Sequence, residues 1–407
     1  MKKVIIVGGG ASGLTAAICL KRRGIDVTIL EKNKQAGKKI LVTGSGKCNY
    51  FNEEFDFTHF TANHKTAISN IITEHNVEKT KEFLESLGII PRIKNGYYYP
   101  NSLKAVSIQN SLFTELRNLQ IPLLNEVTVE EIIKTNHFIL KTSKGQFEAE
   151  NVIVASGSKA YYNTEEPSFL LNSLENLGHT LVPIYPGLVQ LKAKGHFFKE
   201  WAGIRTEAKL SLFIQGERKK EVVGEVQLTD YGISGICTML LSNILVPKLQ
   251  SETVEIQINF LEPIQIETVK EARQFLEKRN VVLPNRTISE LLDTILDYKL
   301  TNVLLHLAGL TPDTSLFFCP KEELETFLRF LVCFPLEIIG HNSFKEAQIC
   351  LGGVDLNEIN VDTMESKKVK QLYIIGEVLD MNGDCGGYNL GFAWMSGILA
   401  GNGVLND

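Results

Sequence analysis

Short runs of consecutive apolar residues near the start of the chain predict strands that are buried on both faces, as in a parallel sheet. Val4 to Val7 and Val27 to Leu30 are two such runs. Between them, Leu14 to Arg23 has the apolar spacing of a helix, and Gly24 suits the position just past a helix end. Strand, helix and strand in this order predict a βαβ unit.

Two more runs of the same kind lie far apart in the sequence, at Val152 to Ala155 and at Leu372 to Ile375. We therefore expect the N-terminal and C-terminal parts of the chain to contribute strands to one sheet domain. Between them the pattern changes to antiparallel or barrel strands, several with apolar alternation, at Lys209 to Gln215, Glu221 to Leu228 and Thr253 to Phe260.

From Ile264 to Phe334 the apolar spacing is helical. Thr287 and Glu290 form a capping-box pattern within this stretch, which predicts a helix start there. Leu336 to Ile339 and Ala347 to Leu351 then predict strands that return to the sheet domains.

The turn of the N-terminal βαβ unit contains the glycine pattern GxGxxG, at Gly8, Gly10 and Gly13. Glu31 ends the second strand, 18 residues beyond the last glycine. In this context Gly8 permits a tight turn, Gly10 lets the backbone approach a pyrophosphate, and Gly13 lets the helix pack on the strand. Glu31 would accept hydrogen bonds from a ribose. The pattern predicts a dinucleotide site, and the alternative is a strand-turn-helix without a ligand.

The motif does not distinguish NAD from FAD, but the C-terminal region favours FAD. The strand Leu372 to Ile375 runs into Gly376 and Glu377, and an acid at a strand end can bind a polyhydroxyl chain such as ribityl. The following LDMNGDCGGYNL opens a helix through Gly391 to Ile398. Its N-terminus would stabilise the negative charge of reduced flavin by about 0.3–1 kcal/mol. The alternative is a glycine-rich turn that enters a packing helix.

At this point the chain resembles a family of bacterial flavoproteins that are similar to 3-dehydro-bile-acid reductases and aminoacetone oxidases. The resemblance spans almost the whole chain and rests on VGGGASG, GKKILVTGSGKCNYFN, YYYPNSLKA, TDYGISG, GGVDLNEINVDTMESK and GEVLDMNGDCGGYNLGFAWMSG.

The resemblance implies FAD as the cofactor and carries its contacts over to this chain. To the adenosine and pyrophosphate end it assigns Gly8, Gly10, Ser12, Gly13, Glu31 and Lys32, with backbone contacts at Val127, Ala155 and Gly157. To a loop near the flavin it assigns Thr43, Gly44, Gly46, Cys48 and Asn49. To the ribityl and isoalloxazine side it assigns Glu377, Gly387, Tyr388, Asn389 and Leu390. Ala11, Lys39 and Gly376 complete the cofactor-binding set, and no catalytic residue is assigned.

The fold class implied is α/β: a discontinuous FAD-binding Rossmann-like domain with an inserted β-barrel-like domain and a small helical domain. We expect the FAD domain at 1–187 and 343–407, the barrel at 188–263 and 335–342, and the helical insert at 264–334. The chain departs from the family pattern at Lys47 and Tyr97, where Arg is more frequent, and at Gly391, where Gln is more frequent. These departures put the substrate in doubt and leave FAD unaffected.

Composition narrows the functional classes. The 42 Lys and Arg against 47 Asp and Glu give a net charge of −5, which disfavours a nucleic-acid partner. With 44% hydrophobic and 22% charged residues the chain is expected to be globular. No apolar run reaches the length of a membrane span. The first twenty residues imitate a signal peptide, but glycines interrupt their apolar stretch. The seven cysteines form no CxxC pair, which fits a cytoplasmic location.

Other candidate sites are weaker. GSGKCN at 44–49 lacks the Ser or Thr of a P-loop, and the eight histidines show no metal-binding spacing, so no metal is predicted. Cys48 and Cys385 form either a redox pair or two packed thiols. Tyr97 to Tyr99 line a substrate cavity or belong to a half-buried strand before Pro100, and Tyr231 is a weaker candidate of the same kind.

The sequence thus predicts an FAD-dependent oxidoreductase that moves a hydride between flavin and a small organic substrate. Only one GxGxxG unit is present, so NAD(P)H as electron donor would have to visit the flavin transiently. The alternatives are an aminoacetone-type amine oxidase that passes electrons to O₂ and produces hydrogen peroxide, a flavin-binding sensor or RNA-modification partner without its own turnover, and an NAD-dependent dehydrogenase.

Overall fold

The computed structural model describes residues 3–161 and 169–404. The chain divides into two compact units. Unit 1 combines Met1–Tyr185 with Ile349–Asp407, and unit 2 is Pro186–Gln348. The N-terminal and C-terminal parts therefore build one unit, while the barrel strands and the long helical stretch lie in the other. The finer division into three domains stays a prediction.

The first segment contains twelve strands and five α-helices among its described residues. In chain order they are β1 Lys3–Val7, α1 Ala11–Arg22, β2 Asp26–Glu31, β3 Phe51–Asn52, β4 Phe60–Thr61, α2 Lys65–Ile71, α3 Glu74–Ser86, β5 Pro91–Lys94, β6 Tyr97–Pro100, α4 Ala105–Asn118, β7 Leu123–Asn125, β8 Val129–Lys134, β9 Phe138–Thr142, β10 Gly145–Ala149, β11 Asn151–Val154, α5 Phe169–Asn176 and β12 Leu181–Gly187.

The remaining elements follow in unit 2 and in the returning segment of unit 1. In unit 2 they are β13 Leu191–Ala193, α6 Phe198–Trp201, β14 Arg205–Ile214, β15 Glu217–Leu228, β16 Gly232–Ser234, α7 Ile236–Leu245, β17 Val254–Asn259, α8 Val269–Val282, α9 Ile288–Leu292, α10 Tyr298–Leu307, α11 Lys321–Val332 and β18 Phe334–His341. In the returning segment they are β19 Ile349–Val354, β20 Leu372–Ile374, β21 Asn382–Gly383 and α12 Tyr388–Gly403.

A five-stranded parallel sheet forms the centre of unit 1, in the order β20-β11-β1-β2-β7. In the central strand Ile6 pairs with Ile29 on one side and Ile153 on the other, and all three are fully buried. Continuous apolar runs are what such strands need, because both faces of the sheet are covered. The predicted βαβ unit, with strands at 152–155 and 372–375, is confirmed.

Helices α1 and α12 pack closely and run in the same direction. A Cβ on Gly397 would lie 2.6 Å from the Ser12 carbonyl oxygen, and one on Gly401 would lie 2.7 Å from the Cys19 Cβ. Glycine at both positions lets the two backbones approach. Because α12 begins nine residues before Gly397 and α1 begins one residue before Ser12, the α12 N-terminus extends about 12 Å further along the axis.

Unit 2 contains a closed barrel of six strands, in the order β13-β16-β15-β14-β17-β18. Alternation along β14 places Ala208, Leu210 and Leu212 inside, all fully buried. The helical stretch gives α8 to α11, and Thr287 caps α9 with the predicted box to Glu290. The predicted fold class, Rossmann-like with a β-barrel and helical insertion, is confirmed.

Unit 1 also has small sheets, most of whose strands the apolar pattern does not reveal. They are the antiparallel sheets β10-β9-β8 and β3-β6-β5 and the pairs β12-β19 and β21-β4. Apart from β6 and β19, which are expected at 97–99 and 347–351, these strands are missed because strands of two to seven residues give little periodicity. Tyr97 to Tyr99 lie in β6 and are half-buried, which agrees with the strand alternative. Among the described residues, none of the helices is both long and apolar enough to cross a membrane.

Candidate cofactor-binding site

The predicted cofactor-binding residues of the Rossmann-like sheet meet at one edge, because parallel strands end on the same side. The residues at the carboxyl ends are Gly8 to Gly13 after β1, Glu31 at the end of β2, Val127 beyond β7, Ala155 and Gly157 after β11, and Gly376 and Glu377 after β20. Backbone hydrogen bonds continue past the strands, with the Gly8 N–H donating to Leu30 O at 2.8 Å and the Ile375 N–H donating to Val154 O at 3.0 Å.

The three motif glycines face different surroundings. Gly8 has a φ of +110°, and a Cβ there would lie 2.3 Å from the Ala155 carbonyl oxygen. A Cβ on Gly13 would lie 2.0 Å from the Gly8 carbonyl oxygen. A Cβ on Gly10 would meet no atom within 4 Å. Gly8 and Gly13 therefore serve the packing of the turn, whereas Gly10 keeps open the space in front of the helix.

The N-terminus of α1 points its free N–H groups into this open space. The first intrahelical bond runs from the Leu14 N–H to the Gly10 carbonyl oxygen at 2.9 Å. The N–H groups of Ala11, Ser12 and Gly13 precede it, and Gly10 has no side chain to cap them. Free N–H groups and the positive end of the helix dipole suit an anion such as a pyrophosphate.

Glu31 is buried, and its carboxylate is fixed by three donors. Oε2 accepts from the Gly9 N–H at 2.7 Å, and Oε1 accepts from the Asn33 N–H at 2.8 Å and the Asn33 side-chain amide at 2.6 Å. The carboxylate thus ties the glycine turn to the end of β2 and keeps acceptor capacity for a ribose hydroxyl. Sequence reasoning missed Asn33, whose backbone N–H and side-chain amide both donate to the Glu31 carboxylate from two residues further along the chain.

The remaining residues predicted near the adenosine lie at the same edge. Val127 is buried and its N–H donates to the Glu31 carbonyl oxygen at 2.9 Å, which leaves only its carbonyl for a ligand. Ala155 is buried next to Gly8, and its N–H donates to the Val7 carbonyl oxygen at 2.8 Å. Gly157 has a φ of +67° and no atom within 4 Å of an added Cβ. Lys32 is exposed directly after Glu31.

Glu377 forms an ion pair with Lys39, whose Nζ lies 2.6 Å from Oε2. The other carboxylate oxygen accepts from the Cys350 N–H at 3.2 Å. Gly376 packs against α1, since a Cβ there would lie 2.6 Å from the Ser12 Oγ, and its N–H donates to the Ser396 Oγ at 3.1 Å. This end of β20 therefore lies between the first turn of α1 and the middle of α12.

The loop predicted to pass near the flavin has an irregular backbone. Gly44, Ser45, Gly46 and Cys48 all have positive φ, and such clusters of unusual backbone conformation are typical of functional sites. Thr43 stabilises the loop, since its hydroxyl donates to the Ile40 carbonyl oxygen at 2.7 Å and its carbonyl accepts from the Cys48 N–H at 3.0 Å.

The glycine-rich loop before α12 is closed by side-chain amides. The Asn389 side chain accepts from the Gly383 N–H and donates to the Gly383 carbonyl oxygen, both at 2.9 Å. The Asn52 amide donates to the Gly386 carbonyl oxygen at 2.8 Å. Gly387 has a φ of +94°, and a Cβ there would lie 2.4 Å from the Phe51 carbonyl oxygen and 2.7 Å from the Asn49 side chain. The structure thus brings Asn49 together with the C-terminal loop, as the resemblance implies.

The N-terminus of α12 is the second helix start in the site. Its first intrahelical bond runs from the Gly391 N–H to the Gly387 carbonyl oxygen, so the N–H groups of Tyr388, Asn389 and Leu390 precede it. Tyr388 is buried, and its ring stacks on His59 with 4.4 Å between centroids. Asn52 and His59 were not predicted, because only the fold brings them to this loop.

The departure at Gly391 has a local explanation. A Cβ on Gly391 would lie 2.2 Å from the Phe55 ring, which itself stacks on Phe51 with 4.4 Å between centroids. The space that a longer side chain would take at position 391 is therefore filled by Phe55.

The cysteines of the site are packed thiols. Burial raises the pKa of Cys48 to about 12, against a hydrogen bond with Thr43, and burial and the nearby Asp384 raise the pKa of Cys385 to about 11. At neutral pH neither is a thiolate, which is the nucleophilic form. In the part of the chain that the structure describes, no group of three or more His, Cys, Asp or Glu is arranged to hold a metal ion.

A dinucleotide cofactor fits this edge of the sheet. The edge has open space at Gly10 and Gly157, two uncapped helix N-termini, and acids at the ends of β2 and β20. A comparison of the sequence with protein families decides the classification. The family described as HI0933-like protein Rossmann domain matches residues 2–403. The chain belongs to the HI0933-like family.

Individual relatives agree with this membership. A protein of Clostridium scindens named 3-dehydro-bile acid delta(4,6)-reductase is 36% identical over 406 residues, covering 98% of each chain. A protein of Haemophilus influenzae named ribosomal RNA dihydrouridine synthase is 28% identical over 400 residues, covering 96% of each. The predicted family resemblance is confirmed, and this HI0933-like chain is an enzyme of the flavoprotein oxidoreductase class, as the sequence predicts.

Solved structures show the same fold at low sequence identity. The 3-ketosteroid-delta4-(5alpha)-dehydrogenase of Rhodococcus jostii, solved with 4-androstene-3,17-dione, covers 99% of this chain and 96% of its own. Its TM-score is 0.50 at 13% identity. At this identity the likeness concerns the fold alone.

Proposed function

We propose that this HI0933-like protein is an FAD-dependent reductase that transfers a hydride to a carbon–carbon double bond conjugated with a carbonyl group in a small organic substrate. The observation that carries the proposal is the edge of the parallel sheet, where open space at Gly10, an uncapped helix and two fixed acids converge. This arrangement fits the phosphates and hydroxyls of FAD.

The residues would divide the cofactor between them. The α1 N-terminus would hold the pyrophosphate, and Glu31 would accept from the adenosine ribose. Glu377, oriented by Lys39, would accept from the ribityl hydroxyls. The α12 N-terminus would face the flavin pyrimidine, where its N–H groups stabilise negative charge. When bound, FAD supplies reversible two-electron hydride chemistry.

The names of the two relatives support the reaction class. A delta(4,6)-reductase of a 3-dehydro-bile acid and a dihydrouridine synthase both saturate a carbon–carbon double bond that is conjugated with a carbonyl. Their substrates differ in size and charge. The net charge of −5 favours the small molecule over RNA for this chain.

We propose NAD(P)H as the electron donor, visiting the flavin transiently, because the sequence has one GxGxxG unit only. The competing proposal is the amine oxidase, in which O₂ accepts the electrons. All seven cysteines are unpaired, which supports the predicted cytoplasmic location.

Anaerobic titration of the FAD-loaded protein tests the proposal. We expect NADH or NADPH to bleach the flavin absorbance, and a conjugated enone or dienone of steroid type to restore it without oxygen. Uridine in an RNA oligonucleotide and simple amines serve as comparison compounds. Bleaching by amines, followed by rapid reoxidation in air with peroxide formation, would favour the oxidase and overturn the reductase. Reoxidation by RNA alone would overturn the choice of a small molecule.

A further inference from the structure

Helix α4 buries one polar side chain on an otherwise apolar face. Its buried residues are Ala105, Ile108, Gln109, Leu112 and Leu116, and Gln109 is only 2% exposed. Burying an amide costs free energy unless the amide forms hydrogen bonds. The partners of Gln109 therefore indicate what this residue does.

Both ends of the Gln109 amide bond to the segment 35–37, which follows β2. Its Nε2 donates to the Ala36 carbonyl oxygen at 3.0 Å, and its Oε1 accepts from the Gln35 side-chain amide at 3.4 Å. Gly37 has a φ of +67°, and a Cβ there would lie 3.2 Å from the Gln109 Nε2. Gln109 thus fits closely against the backbone of this segment.

The segment 35–37 in turn holds the glycine turn of the candidate site. The Gly37 N–H donates to the Gly9 carbonyl oxygen at 2.8 Å. A Cβ on Gly9 would lie 2.7 Å from the Ala36 Cβ, so the two residues face each other directly. The Gly9 N–H donates to the Glu31 Oε2 at 2.7 Å. Both backbone polar groups of Gly9 are therefore fixed, one by Glu31 and the other by Gly37.

Fixing the Gly9 carbonyl also orients the next N–H group. The peptide bond between Gly9 and Gly10 is planar and trans, so the Gly10 N–H points away from the carbonyl that faces Gly37. Gly10 is the N-cap of α1, and a Cβ on it would meet no atom within 4 Å. The segment 35–37 thus sets the direction of an N–H group at the helix start where the proposed function places the pyrophosphate.

The same stretch of backbone reaches the second acid of the site. Lys39 follows Gly37 by two residues, and its Nζ lies 2.6 Å from the Glu377 Oε2. A displacement of Gly37 would therefore disturb the glycine turn and the ion pair of Glu377 together.

We propose that Gln109 is a positioning residue for FAD: it holds the segment 35–37 against Gly9, so that the glycine turn is oriented before the cofactor binds. The inference rests on the proposed function. Gln109 acts through Ala36 and Gly37 rather than by contact with the cofactor.

Loss of the Gln109 amide should weaken FAD binding by loosening the turn in the FAD-free protein. A fraction of the molecules then has the turn in other orientations, and the apparent dissociation constant rises by the inverse of the competent fraction. The free energy of a hydrogen bond between neutral groups limits this rise to roughly 2- to 12-fold.

The experiment compares FAD-free wild-type protein with three variants. Gln109→Met keeps the length of the side chain and removes both hydrogen bonds. Gln109→Glu keeps the shape, but it donates to the Ala36 carbonyl oxygen only while its carboxyl group is protonated. Ser173→Ala is the matched control, because Ser173 is a buried polar residue of another unit 1 helix, α5, and its Oγ accepts from the Ile132 N–H of β8 at 3.3 Å.

Three quantities are measured for each protein. They are the FAD affinity by fluorescence titration, the thermal unfolding midpoint without FAD, and hydrogen exchange of the segment 35–39 by mass spectrometry. We expect Gln109→Met to bind FAD roughly 2- to 12-fold more weakly and to exchange faster in this segment. Ser173→Ala should keep the wild-type value of both, even where its unfolding midpoint falls as far.

Gln109→Glu adds a pH profile that a residue with a packing role alone would not produce. Its FAD affinity relative to the wild type should fall as the pH rises, because the ionised carboxylate only accepts hydrogen bonds and faces the Ala36 carbonyl oxygen. The same ratio for Gln109→Met should not change with pH.

Wild-type FAD affinity in folded Gln109→Met would overturn this inference alone. If Gln109→Met does not fold, a pH-independent affinity ratio for Gln109→Glu would overturn it. Exchange of the segment 35–39 at the rate of an unstructured peptide in FAD-free wild-type protein would overturn it without any variant. Wild-type protein that binds no FAD would overturn the proposed function, and this inference with it.

Discussion

Substitution by alanine should affect FAD binding at one glycine of the GxGxxG motif and folding at another. A methyl group on Gly10 would enter open space, since no atom lies within 4 Å, and its φ of −83° is accessible to alanine. A methyl group on Gly13 would lie 2.0 Å from the Gly8 carbonyl oxygen and 3.2 Å from the Ala155 Cβ. We therefore expect Gly10→Ala to impair FAD binding and Gly13→Ala to impair folding.

The magnitudes follow from these contacts. Gly10→Ala should lower the free energy of unfolding by less than about 1 kcal/mol. This small loss arises because alanine is a poorer N-cap residue than glycine. If the methyl group separates the pyrophosphate from one N–H donor, the loss of a charged hydrogen bond of about 1.5–3 kcal/mol weakens FAD binding roughly 10- to 150-fold. At Gly13 the clash is with backbone, which cannot rotate away, so we expect the upper end of the overpacking range, about 3 kcal/mol.

The assay is made on FAD-free protein, so that folding and binding are measured separately. Thermal unfolding should show a midpoint about 6–12 °C lower for Gly13→Ala, as scaled for a domain of roughly this size, and little change for Gly10→Ala. Fluorescence titration with FAD should show the weakened affinity of Gly10→Ala. Wild-type FAD affinity in Gly10→Ala would refute the idea that the phosphates approach this glycine.

Three other predictions follow from the fixed acids, a buried histidine and the thiols. Glu31→Ala should weaken FAD retention during gel filtration more than Glu31→Gln does, and equal retention by the wild type and both variants would count against a ribose contact. Burial lowers the pKa of His179, against the hydrogen bond to Glu358, so the native state disfavours the proton and stability should fall as the pH drops below about 6.5. His179→Phe should unfold at lower temperature at about pH 8 but lose less stability on acidification than the wild type does, and parallel curves would contradict this assignment. Because burial raises the pKa of Cys48 and Cys385, alkylation mapped by mass spectrometry should be slow at both in native protein, and fast labelling would revive the redox pair.

The sequence predicts the Rossmann-like sheet well because its strands are continuous apolar runs. Such runs are required because both faces of a parallel sheet are buried. β1, β2, β11 and β20 all lie where the apolar pattern places them. Once these strands are parallel, their carboxyl ends must share an edge, so residues separated by hundreds of positions are brought together by topology. The short strands β3, β4 and β21 do not follow from any pattern, because two residues cannot show a period.

The candidate site is predictable to the same extent and for the same reason. Residues that directly follow a strand, such as Gly10 and Glu31, are placed by that strand. The groups that fix them are not local: the Asn52 amide reaches Gly386, and Lys39 reaches Glu377. Lys39 belongs to the set that the resemblance implies, but its pairing with Glu377 and the bond from Asn52 to Gly386 leave no signal in their own sequence neighbourhoods, so these pairings appear only in the folded chain.

Position 391 shows why the family pattern cannot be read one residue at a time. By sequence alone, glycine in place of glutamine there is a loss of side-chain contacts beside the flavin loop. In the structure the place is occupied, because the Phe55 ring comes within 2.2 Å of a Cβ on Gly391 and packs on Phe51 and Tyr388. The aromatic ring and the glycine are therefore one packing solution made from two distant segments. Where the resemblance implies a glutamine side chain, this chain has an aromatic ring, and the N–H groups of Tyr388, Asn389 and Leu390 still precede the first intrahelical bond of α12.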